Sequence, residues 1–237
     1  MNTLSDALEY LKNEERNPNK SYAKIGENSK NLIVSFTSAF KNHFERKNSL
    51  LEPRYEHNYD YDVLYIKDQF GWYLGGIKGI GKNITHTQAF LRKEFSKYEN
   101  VVCTGYSMGG YASILFGSLC KAPIIVAIEP QTDLEIVLED GGGLAVNQFN
   151  TRRKQCIKTY ERYHDLSNHL NNESIYYVFF ESDLNIKLRN KRITGLRRDI
   201  AFHGKKHYEK IKNHKNVLLV QTREELKELI ISKALGR

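Results

Sequence analysis

The chain has 237 residues, 40% of them hydrophobic, with three cysteines and a formal net charge of +8. That length suits one compact domain with its own core, and no apolar run approaches the roughly 20 residues needed to span a bilayer. The start MNTLSDALEY lacks the basic head and apolar centre of a signal peptide, and the cysteines show no C-x-x-C spacing, so reduced thiols and a cytoplasmic location are expected.

In chain order, Leu4, Ala7, Leu8 and Leu11 share one face of a helix over 4–16, and Asn17-Pro18-Asn19 ends it. NLIVSF at 31–36 and DVLYI at 62–66 read as buried strands. Between them Phe40, Phe44, Leu50 and Leu51 predict a helix lying over the sheet. The Gly-rich, aromatic stretch 71–83 breaks the alternation, and its Gly79 and Gly81 follow a loop rather than a strand, which argues against a dinucleotide site. A helix is expected over 85–98, then a strand from Val101, a helix over 110–120 and a strand PIIVAI at 123–128. Residues 131–172 break the alternation again, with Gly141-Gly142-Gly143 expected as a hinge or turn. SIYYVFF at 174–180 and NVLLVQ at 216–221 complete about six mostly parallel strands, and REELKELIISKAL closes with an amphipathic helix. The pattern is that of a single α/β domain over 1–237 with helices on both faces of the sheet.

The run VVCTGYSMGGYASILFG at 101–117 is the most specific feature. It reads as a buried strand, a tight turn carrying Ser107, and a helix. A bare G-x-S-x-G arises by chance in roughly one chain of this length in ten. Here β-branched Val101 and Val102 precede the turn, and Tyr111, Ile114, Leu115 and Leu119 follow at helical spacing. Gly105 and Gly109 leave room where strand and helix cross.

On these residues, over roughly 31–222, the chain resembles the α/β-hydrolase superfamily. The resemblance implies a short lid-like insertion at about 131–172 and serine-based acyl chemistry with Ser107 as nucleophile. It implies Asp183, just after the strand 174–180, as the triad carboxylate, with Glu129 as the fallback. The oxyanion donors would be the amides of Met108 and of Thr37 or Ser38. The usual histidine follows the last strand, and this chain has none there. The candidate is therefore His207, with His203 as the alternative, and outright loss of the histidine is the third reading. His203 and His207 are four apart, but the Glu of H-E-x-x-H and a third ligand are missing, so no metal is read, and no cofactor is implied. Tyr106, Trp72 and Tyr73 lie near the expected rim as pocket residues.

Eleven Lys or Arg residues against Asp199 and Glu209 make 187–215 strongly basic. A solvated helix face explains such a run, and a field for an anionic substrate is the sharper reading. Nucleic acid is not expected, because no helix-turn-helix, zinc-knuckle or RNP-like pattern accompanies the charge. The resemblance implies a serine hydrolase acting on an ester, with an acylated or anionic glycan as candidate substrate. In size and motif order the chain is also similar to O-acetyltransferases of bacterial capsule pathways, which implies acyl transfer to a glycan as an alternative. A non-catalytic relative that binds a ligand or partner in the same pocket is the third possibility.

Overall fold

The computed structural model describes residues 1, 3–38, 43–68, 71–139, 157–170, 172–184 and 205–237. Seven strands form one sheet: β1 (Tyr22–Ile25), β2 (Asn31–Phe36), β3 (Asp62–Ile66), β4 (Asn100–Tyr106), β5 (Ile124–Ile128), β6 (Ile175–Phe180) and β7 (Val217–Val220). Their order is β1-β3-β2-β4-β5-β6-β7. The six expected strands pair in parallel, and β1 adds a seventh, antiparallel to β3 with Tyr22 opposite Ile66 and Ile25 opposite Val63. YAKI carries only two buried positions in four residues, too short a signal for periodicity to reveal.

The helices are α1 (Leu4–Glu15), α2 (Lys47–Glu56), α3 (Ile84–Phe95), α4 (Met108–Cys120), α5 (Leu134–Glu139), α6 (Ile157–Tyr163), α7 (Ser167–Leu170), α8 (Glu181–Leu184), α9 (residues 205–211) and α10 (Arg223–Ala234). Thr3 and Asp6 form a reciprocal capping box that starts α1, and Thr222 caps α10 through the Glu225 amide.

Successive strand residues point to opposite faces, so each strand feeds two cores. Val34, Phe36, Cys103, Ile125 and Tyr177 pack beneath α3 and α4, where Leu91, Ile114 and Phe116 are buried. Ile33, Val63, Val102, Val126 and Val178 pack beneath α1, α2 and α10, where Leu11, Leu51 and Ile230 are buried. Both faces of the central strands are therefore apolar, which is why these runs read as continuous hydrophobic stretches.

The described residues of 131–172 return to the first of these cores. Asp133 bridges Asp165, and Leu134, Tyr160, Leu166 and Leu170 are buried there. The Tyr111 hydroxyl of α4 donates to the Tyr163 carbonyl at 2.6 Å. Gly141-Gly142-Gly143 lies outside the described residues. In the basic run, Lys210 pairs with Asp133 and Asp165, Lys212 with Glu209, and Lys215 with Glu173, so these cations act largely as local partners. Among the described residues no helix is long and apolar enough to cross a membrane.

The strand order reverses between β2 and β4: the chain leaves β2 toward β3 and returns on the other side as β4. Open α/β sheets bind ligands beyond the carboxyl ends of the strands at such a switch point. Here those ends are Phe36-Thr37 and Tyr106-Ser107.

Candidate active site

Strand β4 ends at Tyr106 and α4 begins at Met108, leaving Ser107 alone to reverse the chain. Its backbone adopts φ 54° and ψ −114°, outside the regions open to a residue with a Cβ. Three bonds hold it there. Its N–H donates to the Ile128 carbonyl at 2.9 Å, and its carbonyl accepts from the Tyr111 and Gln131 amides at 3.0 and 3.3 Å. The side chain makes no capping bond to its own helix and is half-buried.

The flanking glycines are required by distance. A Cβ on Gly105 would sit 2.3 Å from the Gly109 carbonyl oxygen, and one on Gly109 would sit 2.3 Å from the Phe36 carbonyl oxygen. Backbone meets backbone at both points, so the end of β2 is drawn against the first turn of α4. Neither described cysteine competes as a nucleophile. Cys103 is fully buried, and burial pushes its thiol pKa well up; burial likewise raises Cys120 to about 12.

Among the described residues the Met108 amide has no acceptor, as the first turn of a helix leaves it, and it stands next to Ser107. The early-strand donors are differently placed. The Thr37 N–H continues the sheet, donating to the Ile66 carbonyl at 3.0 Å, and its hydroxyl donates to the same oxygen at 2.9 Å. The Ser38 N–H donates to Glu45 Oε2 at 2.6 Å, and the Ser38 hydroxyl donates to Glu45 Oε1 at 2.8 Å. A carboxylate oxygen therefore already occupies the Ser38 amide. Motif reasoning had no signal for Glu45, seven residues away in a connecting segment.

His207, on α9, is 1% exposed. The Thr132 N–H donates to its Nδ1 at 3.2 Å, and the Thr132 hydroxyl lies at the same distance from that atom. An amide can only donate, so Nδ1 is the unprotonated nitrogen and Nε2 carries the ring proton. The ring reaches the Ser107 turn through two consecutive residues, since Gln131 binds the Ser107 carbonyl and Thr132 binds the ring. His203 lies outside the described residues, as does the side chain of Asp183, whose backbone belongs to α8. Glu129 follows β5 with φ 41°, is buried, and its Oε1 accepts from the Phe180 amide at 3.4 Å.

The three expected pocket aromatics separate. Tyr73 is fully buried: its hydroxyl donates to the Thr37 carbonyl at 2.8 Å and its ring packs edge-on to Phe36 at 5.5 Å, so it is a core residue and not an exposed wall. Trp72 is 3% exposed and donates its indole N–H to the Gln131 side-chain carbonyl. Tyr106 lines a cavity of about 850 Å³ together with Phe180, Gln221 and Arg223 at the sheet's carboxyl edge, and with residues 43–49.

No protein-family model and no curated protein matches the chain. Solved structures do. The capsule O-acetyltransferase of Neisseria meningitidis serogroup A is similar with a TM-score of 0.55 at 12% identity, over 91% of this chain and 92% of that one. The fluorophosphonate-binding serine hydrolase F of Staphylococcus aureus gives 0.54 at 11%, over 93% and 88%. The S-formylglutathione hydrolase of Staphylococcus aureus gives 0.54 at 9%, over 89% and 86%. At these identities the likeness is one of fold.

Proposed function

From a chain with the α/β-hydrolase fold, we propose acyl chemistry at Ser107, with hydrolysis of a carboxylic ester as the first reading. The observation that carries it is Ser107's strained backbone at the topological switch point, beside a Met108 amide that has no acceptor among the described residues. In the proposed reaction Oγ attacks the ester carbonyl and its proton passes to an imidazole. The tetrahedral oxyanion is received by Met108 N–H, the alkoxide leaves with that proton, and water releases the acyl group from Ser107.

His207 is the proposed base and Asp183 the proposed acid, with His203 and Glu129 as alternatives. For His207 to take the serine proton through Nε2, its ring proton must move to Nδ1, which means releasing the Thr132 amide and turning toward a carboxylate. The early-strand donor likewise requires Glu45 to leave Ser38. Acyl transfer from Ser107 to a glycan hydroxyl uses the same acyl-enzyme, and the capsule O-acetyltransferase fold neighbour supports it as the finer alternative. The His207 tautomer supports a different reading, ligand binding on this scaffold without turnover. Residues 131–172 are proposed as the lid-like insertion of a single domain, and a cytoplasmic location is part of the same proposal.

Labelling with a fluorophosphonate probe and turnover of p-nitrophenyl acetate test the reading on wild type, Ser107→Ala and His207→Ala. Labelling of wild type that disappears in Ser107→Ala supports the nucleophile, and labelling that survives the substitution removes it. Serine-dependent consumption of acetyl-CoA only when a glycan is present shifts the reading to transfer. A wild type that neither labels nor turns over favours ligand binding.

A further inference from the structure

The cavity beside Tyr106 carries a pattern of charge that the chemistry at Ser107 does not use. The first bond of α2 runs from the Leu50 N–H to the Arg46 carbonyl, so the amides of Lys47, Asn48 and Ser49 have no partner within the helix, and all three residues line the cavity. No side chain caps α2, and its first turn holds no acidic residue. Helix starts of this kind are commonly closed by Ser, Thr, Asp or Asn; here the position is Arg46 with φ 61°.

Two arginines border the same space. Arg46 and Arg223 both line the cavity, and among the described residues neither side chain makes a hydrogen bond or ion pair. Burial pulls the Arg46 pKa down to about 10; Glu45 works against that fall, and the nearby Arg223 charge adds to it. Arg46 is half-buried and Arg223 is exposed at the same cavity, so the two like charges repel across it, and an anion between them relieves that repulsion. Three nearby carboxylates already hold other donors. Glu45 is bound through both oxygens to Ser38, Glu15 receives Lys47 and the Phe44 amide, and Glu225 accepts from the Gln221 amide.

We propose that this cavity is a phosphate site, in which Arg46 and Arg223 grip a phosphoryl group and the first-turn amides of α2 complete its coordination. Two guanidinium forks and three amides offer more donors than a carboxylate's two oxygens can use, whereas a phosphate presents three or four oxygens in tetrahedral array. Because Tyr106 forms one wall and Ser107 is the next residue, the phosphate belongs to the molecule that reacts at Ser107. That last step rests on the acyl-chemistry reading; the binding site does not. The same phosphate chemistry could come from a sugar phosphate or from the phosphates of coenzyme A.

Calorimetric titration with inorganic pyrophosphate at low ionic strength tests the site in wild type, Ser107→Ala and the double variant Arg46→Gln/Arg223→Gln. Saturable binding is expected in the first two, at least tenfold weaker in the third, and weakened by added salt. Absence of saturable binding to wild type, or equal affinity in the folded double variant, overturns the proposal. Should the double variant fail to fold, phenylglyoxal modification of wild type gives the same decision: pyrophosphate must protect Arg46 and Arg223, and equal modification with and without it overturns the site. Glucose 1-phosphate and coenzyme A are then tried as competitors. Displacement by the first identifies the acceptor and by the second the donor, while displacement by neither overturns the assignment to a substrate phosphate. A wild type that binds pyrophosphate but takes no fluorophosphonate label, or a Ser107→Ala variant that binds pyrophosphate and still labels, would sink the Ser107 reading and leave this one standing.

Discussion

Replacing Ser107 by glycine and, separately, by alanine separates backbone strain from chemistry. At φ 54° and ψ −114° the residue lies where a Cβ is crowded, a state that costs about 1–3 kcal/mol. Glycine removes that cost and gives back about 0.5–1 kcal/mol through the freer unfolded chain, leaving a net gain of about 1 kcal/mol. Alanine keeps the Cβ and therefore the strain. The Ser107 side chain makes no capping bond, so alanine should shift stability by no more than about 0.5 kcal/mol. For a domain of this size 1 kcal/mol moves Tm by about 2–4 °C. Thermal unfolding followed by circular dichroism should therefore place Ser107→Gly above both wild type and Ser107→Ala, with fluorophosphonate labelling gone from both variants. A glycine variant no more stable than the alanine variant would show that the turn stores no strain, and the structural argument for an activated serine would fall with it.

Two further outcomes follow from contacts near this turn. Gly109→Ala drives a methyl to 2.3 Å from the Phe36 carbonyl oxygen, and because backbone must move, a loss of about 2–3 kcal/mol is expected, read as a Tm lower by about 4–12 °C; a Tm within error of wild type would contradict the close approach of β2 and α4. The Asp165 carboxyl is affected most by burial, which raises its pKa, but hydrogen bonds from Ser167 and Lys210 outweigh that and hold it below its ordinary value. A depressed folded-state pKa means stability that is present above the unfolded value near 4 and lost as pH falls through the folded one. Asp165→Asn should thus unfold in urea about 0.5–1 kcal/mol more easily at pH 7, with the gap closing below about pH 4; a gap that persists at pH 2 would show that charge is not its source.

The parallel strands and the turn at Ser107 were legible because local chemistry dictates them. Buried parallel strands must be apolar on both faces, so NLIVSF and DVLYI declare themselves, and a serine forced between strand and helix needs Gly105 and Gly109 on either side. Strand β1 was missed because an edge strand of four residues buries only alternate positions. Tyr73 looked like a rim residue from its place in a Gly-rich loop, yet that loop folds inward and the tyrosine closes over Phe36.

The surroundings of Ser107 were not legible, because they are assembled from segments with no regular spacing between them. Glu45 meets Ser38, and His207 meets Thr132 across 75 positions, only once the sheet has brought those loops to one edge. The tautomer of His207 depends on which atom an amide happens to face, and no residue pattern encodes that. Arg46 and Arg223 stand 177 positions apart in sequence and share a cavity because α2 and α10 cover the same face of the sheet. Composition and periodicity thus determined the layered α/β architecture and the position of its one strained serine, since both arise from contacts between near neighbours. Which charges face that serine, and which donors are already taken, was decided by the tertiary structure alone, because those contacts exist only after distant loops converge beyond the carboxyl ends of the strands.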